Sequence, residues 1–303
     1  MKCYAKNQTL LIQAINILTD EQPCTLRQLF YRLVSAGAMP NSQSDYKRLG
    51  TLMTRAREKK MISRRWIVDH TRASDKPSSW SGLNDFADTV RRAYRKDYWA
   101  SLDHHVEVFV EKDAVAGTIQ PVTRENDVSL HVCRGYSSVS FASEIAEEWS
   151  RIQKPIFALY LGDFDPSGFD IERDLREKLE RYSGRLHMGE NVDHGTNGFC
   201  WARLGVRAED FDELDLIRLP IKHSDNRARG FIAEHGDAGA EIDAIPPSEL
   251  RRRVAEAIDD HIDVGRWNKL MEVEALERQT WNKLLTGLHE SEPRSTFGSE
   301  VTQ

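Results

Sequence analysis

Apolar residues recur at two different periods along the 303-residue chain, and the period changes near residue 105. Before that point the pattern is helical. Leu10, Leu11, Ala14, Ile15 and Leu18 share one face of a helix over 5–20. Pro23 marks the following turn, and Thr25 is a fitting N-cap for a second helix over 26–36, which Gly37 ends. Residues 39–45 read as a loop. A third helix over 46–60 carries Tyr46, Leu49, Met53 and Ala56 on one stripe, with Lys47, Arg48, Arg55, Arg57, Lys59 and Lys60 on its other faces. Arg64 and Arg65 then precede a short strand over 66–69. Three short helices followed by a strand predict a winged helix-turn-helix, its third helix placed to enter a major groove.

Residues 73–82, rich in Ser with Pro77 and Gly82, read as a linker, and a helix over 83–100 leads onward. Strand and helix then alternate: strands over 106–110, 130–133 and 155–161, helices over 114–124, 140–152 and 169–182. The run Ile156 to Leu161 is apolar without a break, as expected of a strand buried on both faces, and the alternation predicts a parallel sheet covered by helices. A further strand over 216–221, a proline-started helix over 247–263 and a last helix over 266–288 complete the pattern. The fold class is therefore α/β. An N-terminal winged helix-turn-helix (1–72) and a linker with its connecting helix (73–104) precede a parallel-sheet domain with a helical C-terminal extension (105–290). Residues 291–303 are predicted to be a disordered tail.

Charge sharpens this division. The net charge is −6, but residues 1–72 hold 13 Lys and Arg against 5 Asp and Glu, so the acidic balance lies in the rest of the chain. A basic head on an acidic body suits a polyanion such as double-stranded DNA. No apolar run approaches the roughly 18–20 residues of a membrane span. The four cysteines are scattered, with no CxxC pair, which argues against a zinc ribbon or a disulfide framework and for a reduced cytoplasmic protein; with a DNA-binding head it is expected to be nucleoid-associated.

The chemistry gathers at strand ends. Glu111 follows the strand over 106–110, and Asp163 and Asp165 follow the strand over 155–161. Ligand sites of open parallel sheets lie beyond the carboxyl ends of the strands, so these carboxylates are expected to converge there. Hard oxygen donors at low count suit Mg²⁺, with Mn²⁺ as a substitute. The competing expectation for the aspartate pair is a cap on the helix that follows.

Glu111-Lys112-Asp113, Gly135-Tyr136-Ser137-Ser138 and Asp163-Phe164-Asp165-Pro166-Ser167-Gly168 resemble the TOPRIM domain of the topoisomerase VI A subunit and its meiotic double-strand-break relative. The resemblance covers about 105–182 and continues more weakly towards 265. It implies that Glu111, Asp163 and Asp165 ligate the metal. It also implies a nucleophile on the preceding winged helix, in a motif matched here by Arg27-Gln28-Leu29-Phe30-Tyr31. Tyr31 would attack DNA phosphorus to leave a 5′-phosphotyrosyl link, and Arg27 would favour its phenolate. The family works as a homodimer in which the tyrosine of one protomer serves the acidic site of the other.

Geometry adds its own reading of Tyr31. Leu26, Leu29, Phe30 and Leu33 mark the core face of the helix, and at about 100° per residue Tyr31 falls roughly 150° from the centre of that face. It is therefore expected to point outward, beside Arg27. Lys47, Arg48, Arg55, Arg57, Arg64 and Arg65 are the candidate DNA contacts. No ATP fingerprint occurs in the sequence, and its winged helix begins too early to leave an extension for docking a GHKL-type ATPase B subunit, so a compact stand-alone member is expected. The alternatives are a TOPRIM nuclease acting through metal-bound water and a DNA-binding protein without catalysis. A primase is disfavoured by the missing zinc-binding cysteines.

Overall fold

The computed structural model describes residues 2–63, 65–68, 77–189 and 197–290. The chain divides into two compact units, one of residues 1–73 with 103–261 and one of residues 74–102 with 262–303.

The first unit opens with helix α1 (Lys2–Glu21), the short strand β1 (Cys24–Thr25) and helices α2 (Leu26–Ser35) and α3 (Gln43–Glu58), followed by the strand β2 (Ile67–Val68). Thr25 closes a capping box with Gln28, which fixes where α2 begins. Ser42 caps α3, so that helix starts earlier than its apolar stripe suggested. Leu10, Ala14, Leu18, Leu29, Leu33, Leu49 and Met53 are buried together as the apolar patterns require. β1 and β2 pair in parallel, and among the described residues no antiparallel wing follows α3.

In the second unit, helix α4 (Leu83–Ala93) ends well before the expected residue 100. Tyr94 turns extended because the segment after it is drawn into contacts with the long C-terminal helix (Val264–Glu290). Lys96 Nζ meets Glu277 Oε1 at 2.9 Å, Tyr98 Oη donates to Glu274 Oε2 at 2.6 Å, and Tyr98 and Trp99 pack on Trp267.

The rest of the first unit is the α/β body. In chain order it runs β3 (His105–Val110), α5 (Asp113–Glu125), β4 (Ser129–Val132), α6 (Val139–Arg151), β5 (Ile156–Leu161), α7 (Pro166–Ser183) and β6 (Phe199–Arg203). Then come α8 (Asp210–Glu213), β7 (Leu219–Pro220), α9 (Ala228–His235), β8 (Ala238–Gly239) and α10 (Pro247–Asp259); the C-terminal helix is α11. The four main strands form one parallel sheet in the order β4-β3-β5-β6. One core gathers Phe109, Trp149, Tyr160, Leu175, Phe199 and Trp201. Val106, Val108 and Val110 alternate to the other face of β3 and are fully buried, so β3 is covered on both sides. No described helix is long and apolar enough to cross a membrane.

Buried polar groups pin the strand ends. Arg253 on α10 is 5% exposed and makes two hydrogen bonds to Asp210, at 2.9 and 2.5 Å, and a third to the Gly205 carbonyl at 3.3 Å. A Cβ on Gly205 would fall 2.5 Å from the backbone nitrogen of Gly162, so glycine there lets the chain after β6 lie against the end of β5. Arg203 adds bonds to Glu172 and to the Gly162 and Asp163 carbonyls. The end of β5 is thereby fixed from two sides.

The opposite end of the sheet carries a pH-sensitive contact. The His261 ring stacks 3.9 Å from Phe157 and also faces His104 and Asp260. Burial, then the His104 charge, outweighs Asp260 and pushes its pKa from 6.5 down to about 4. The unfolded chain takes up this proton more readily, so the stability present above pH 6.5 drains away as the pH falls towards 4. His261→Phe is expected to flatten the fall in Tm between pH 7 and 5. An equal fall in both proteins would refute the assignment.

Candidate active site

Glu111 stands immediately after β3 and Asp163 shortly after β5, and the parallel register brings the two together. The Asp163 backbone N–H donates to Glu111 Oε2 at 3.0 Å. A Cβ on Gly162 would approach that same oxygen to 3.0 Å, so the glycine leaves room for the carboxylate. Glu111 and Asp163 are both buried, and both pKa values are raised. Burial is the main cause for each; at Glu111 the Asp163 charge adds to it.

Asp165 is used differently. Its Oδ1 accepts from Gly168 N at 2.7 Å, making it the N-cap of α7, with Pro166 at the first turn. The helix therefore starts at Pro166, three residues before the apolar pattern showed. Gly168 is needed for it, because a Cβ there would come within 2.5 Å of the Asp163 carbonyl oxygen.

Lys112 joins this group. Its Nζ lies 2.7 Å from Asp163 Oδ2, 3.2 Å from Glu241 Oε2 and 3.3 Å from Asp243 Oδ2. Burial opposes its charge, but Asp163, Asp243 and Glu241 prevail and hold its pKa above the ordinary lysine value. The other oxygen of Asp163 accepts from Ile242 N at 2.8 Å, which ties the segment 241–243 to the end of β5. Asp243 is fully buried, and its Oδ1 has no hydrogen-bond partner.

Tyr31 and Arg27 reach the same place. Arg27 pairs with Glu241, and its Nε lies 3.7 Å from Asp243 Oδ2. The Arg27 guanidinium carbon lies 5.9 Å from the centre of the Tyr31 ring, and the charges of Glu241 and Arg27 both act on the Tyr31 phenol. Tyr31 is only 6% exposed, which corrects the expectation of an outward-facing side chain. The helical wheel located one apolar face of α2 correctly, but the opposite face is also covered. Gln28 there is fully buried and donates to Thr118 Oγ1 on α5 at 3.1 Å. Burial, reinforced by Glu241 and opposed by Arg27, pushes the Tyr31 phenol up to about 12.

The donor set of Glu111, Asp163 and Asp165 is all oxygen, and two buried carboxylates side by side are what a hard divalent cation relieves. As they stand, with Asp165 turned to its cap and Lys112 on Asp163, no three His, Cys, Asp or Glu side chains among the described residues are grouped to hold a metal ion. A cleft of about 500 Å³ opens beside them, with Asp165, Ser167, Lys222 and Glu241 among its lining residues.

Of the basic residues, Lys47, Arg48 and Arg55 are exposed on α3, Arg57 is half-buried, and Arg65 is exposed. Arg48 is paired with Asp45 at 3.4 Å. Arg64 lies outside the described residues. The basic segment over 222–229 leads into α9, and Arg227 is engaged by Asp225, Tyr136 and Asp170.

Glu241 and Asp243 were not singled out in the sequence. Their carboxylate-x-carboxylate spacing repeats that of Asp163 and Asp165, but no strand of usual length precedes them to place them at a sheet edge. No protein-family model matches the chain, and no curated protein matches it.

Proposed function

We propose that this chain is a Mg²⁺-dependent DNA strand-cleaving transesterase resembling the type IIB topoisomerase A subunit, with a TOPRIM-type domain and a winged-helix-like head. The observation that carries the reading is the meeting of a tyrosine, an arginine and the acidic cluster: Tyr31 lies beside Arg27, Arg27 pairs with Glu241, and Glu241 shares Lys112 with Asp163. In the reaction, Tyr31 Oη bonds phosphorus as the P–O3′ bond breaks with its electron pair. The phenol proton leaves to solvent and the 3′ oxygen gains one, so one phosphodiester replaces another. Arg27 steadies the phenolate as it forms. A Mg²⁺ or Mn²⁺ ion held by Glu111, Asp163 and Asp165 would supply positive charge to the phosphate and the departing oxygen. Lys47, Arg48, Arg55, Arg57, Arg64 and Arg65 would contact the backbone of double-stranded DNA. Two copies, one per strand, would make a double-strand break, and a GHKL-type ATPase is a candidate partner for strand passage.

One observation favours a second reading. A buried phenol with its pKa near 12 is a poor nucleophile, which suits a TOPRIM nuclease in which activated water attacks and Tyr31 only packs. The two part on product chemistry. Supercoiled DNA incubated with the protein and Mg²⁺, then denatured, is expected to yield ends that migrate freely only after protease digestion. EDTA added beforehand should suppress them. Protein-free ends without protease would support the nuclease instead.

A further inference from the structure

Negative charge outnumbers positive charge at this end of the sheet. Glu111, Asp163, Glu241 and Asp243 are four carboxylates, and among the described residues the side-chain cations paired with them are Lys112 and Arg27. Asp243 is fully buried, and one of its oxygens has no hydrogen-bond partner. Buried carboxylates in such excess call for a further cation.

Lys112 is built so that its own contribution is removable. Its backbone is fixed between β3 and α5, as the N-cap residue of α5, but its side chain is 25% exposed and a flexible four-carbon stem can swing to solvent. The contacts of its Nζ, at 2.7 Å to Asp163, 3.2 Å to Glu241 and 3.3 Å to Asp243, are not equivalent. Glu241 keeps Arg27 when Lys112 departs, and Asp243 Oδ2 keeps the Arg27 Nε at 3.7 Å. Asp163 Oδ1 stays on the Ile242 N–H, while its Oδ2 loses the ammonium. The oxygen laid bare is therefore on Asp163, the residue whose backbone N–H bonds Glu111.

We propose that Lys112 is a built-in cation of the acidic cluster, which a divalent ion displaces from Asp163 in order to bind. This rests on the metal-binding part of the reading above, and it holds whether tyrosine or water attacks. A site that is open one time in ten binds its ion about ten times more weakly than the same site held open. Lys112 thus sets the metal concentration at which the centre loads, and below that concentration it relieves the repulsion among the carboxylates.

The test is Mn²⁺ binding to the full chain without DNA, followed by electron paramagnetic resonance. Lys112→Met is expected to bind about tenfold more tightly than wild type. Lys112→Gln, which can still donate to a carboxylate, should also bind more tightly and serves if the methionine variant does not fold. Arg134→Met removes a charge that is 74% exposed beside Asp113, and it should leave the affinity nearly unchanged. Affinity that is unchanged or weaker in the Lys112 variants would overturn the proposal and leave the metal site standing. Equal tightening in Arg134→Met would reduce the effect to net charge and overturn it too. If wild type and variants alike bind no Mn²⁺, the metal-binding reading falls and the proposal falls with it.

Thermal stability separates displacement from a fixed structural role. In EDTA, Lys112→Gln should melt a few degrees below wild type, because the carboxylates lose a cation, and saturating Mn²⁺ should close that gap. A gap that persists in saturating Mn²⁺ would make Lys112 a permanent partner of Asp163 and overturn its displacement.

Discussion

Tyr31→Phe is expected to abolish the covalent protein–DNA adduct completely while leaving the fold in place. The substitution removes one oxygen from a side chain that is 6% exposed, and the ring keeps its edge contact with Phe30 at 5.7 Å and its place beside Arg27. Glu241 keeps Arg27 and Lys112, so no carboxylate is stranded. The stability change should therefore stay within about 1 kcal/mol, the net worth of one hydrogen bond. The chemical consequence is absolute, because phenylalanine has no atom that can bond phosphorus. Denaturing gels of end-labelled DNA should show no protease-sensitive species, with Tm shifted by no more than a few degrees. Cleavage that persists as protein-free ends in Tyr31→Phe but disappears in Asp163→Ala would transfer the chemistry to metal-activated water. An adduct that persists in Tyr31→Phe would mean that another residue is the nucleophile.

The path to Tyr31 shows what a linear sequence can and cannot carry. The identity of α2, its cap at Thr25 and its core face of Leu29, Phe30 and Leu33 follow from local spacing. What lies against the other face does not. Arg27 and Glu241 are 214 residues apart, and no periodicity in α2 encodes which distant segment will cover it. A helical wheel assigns a polar or aromatic residue opposite the core to solvent, and that inference fails whenever a second layer packs there.

The sheet was legible for a related reason. β3 and β5 are central strands buried on both faces, and the unbroken apolar run of β5 and the alternating valines of β3 announce them. β6 is an edge strand, its apolar stretch is only Phe199 to Ala202, and so brief a signal is indistinguishable from a buried turn. The same limit hid the sites at 241 and 243. Glu111, Asp163 and Asp165 were readable because each follows a strong strand; Glu241 and Asp243 follow β8, which is two residues long. Asp165 was legible in two roles at once, and the structure gives it the capping role that its Pro166 neighbour also favours.

Glu111→Gln is expected to make the protein more stable in metal-free buffer and far less active with metal. A carboxyl group whose pKa is higher in the folded chain than in the unfolded one costs stability as the pH rises through that interval, because the folded protein must give up a proton it holds more tightly. Glu111 is such a group, raised by burial and by Asp163. Glutamine carries no charge, fills nearly the same volume and still offers an oxygen to the Asp163 N–H. The variant should therefore melt a few degrees above wild type at pH 8, and the difference should vanish near pH 4, where both side chains are neutral. Added Mg²⁺ should narrow or reverse the gap, since only a protein that binds the ion gains from it. Cleavage should fall by about 10³, the usual scale for removing one group that stabilises transition-state charge. A wild-type protein that is the more stable of the two at pH 8 without Mg²⁺ would show that Glu111 is satisfied by its surroundings alone, and would remove the electrostatic reason for placing a cation beside it.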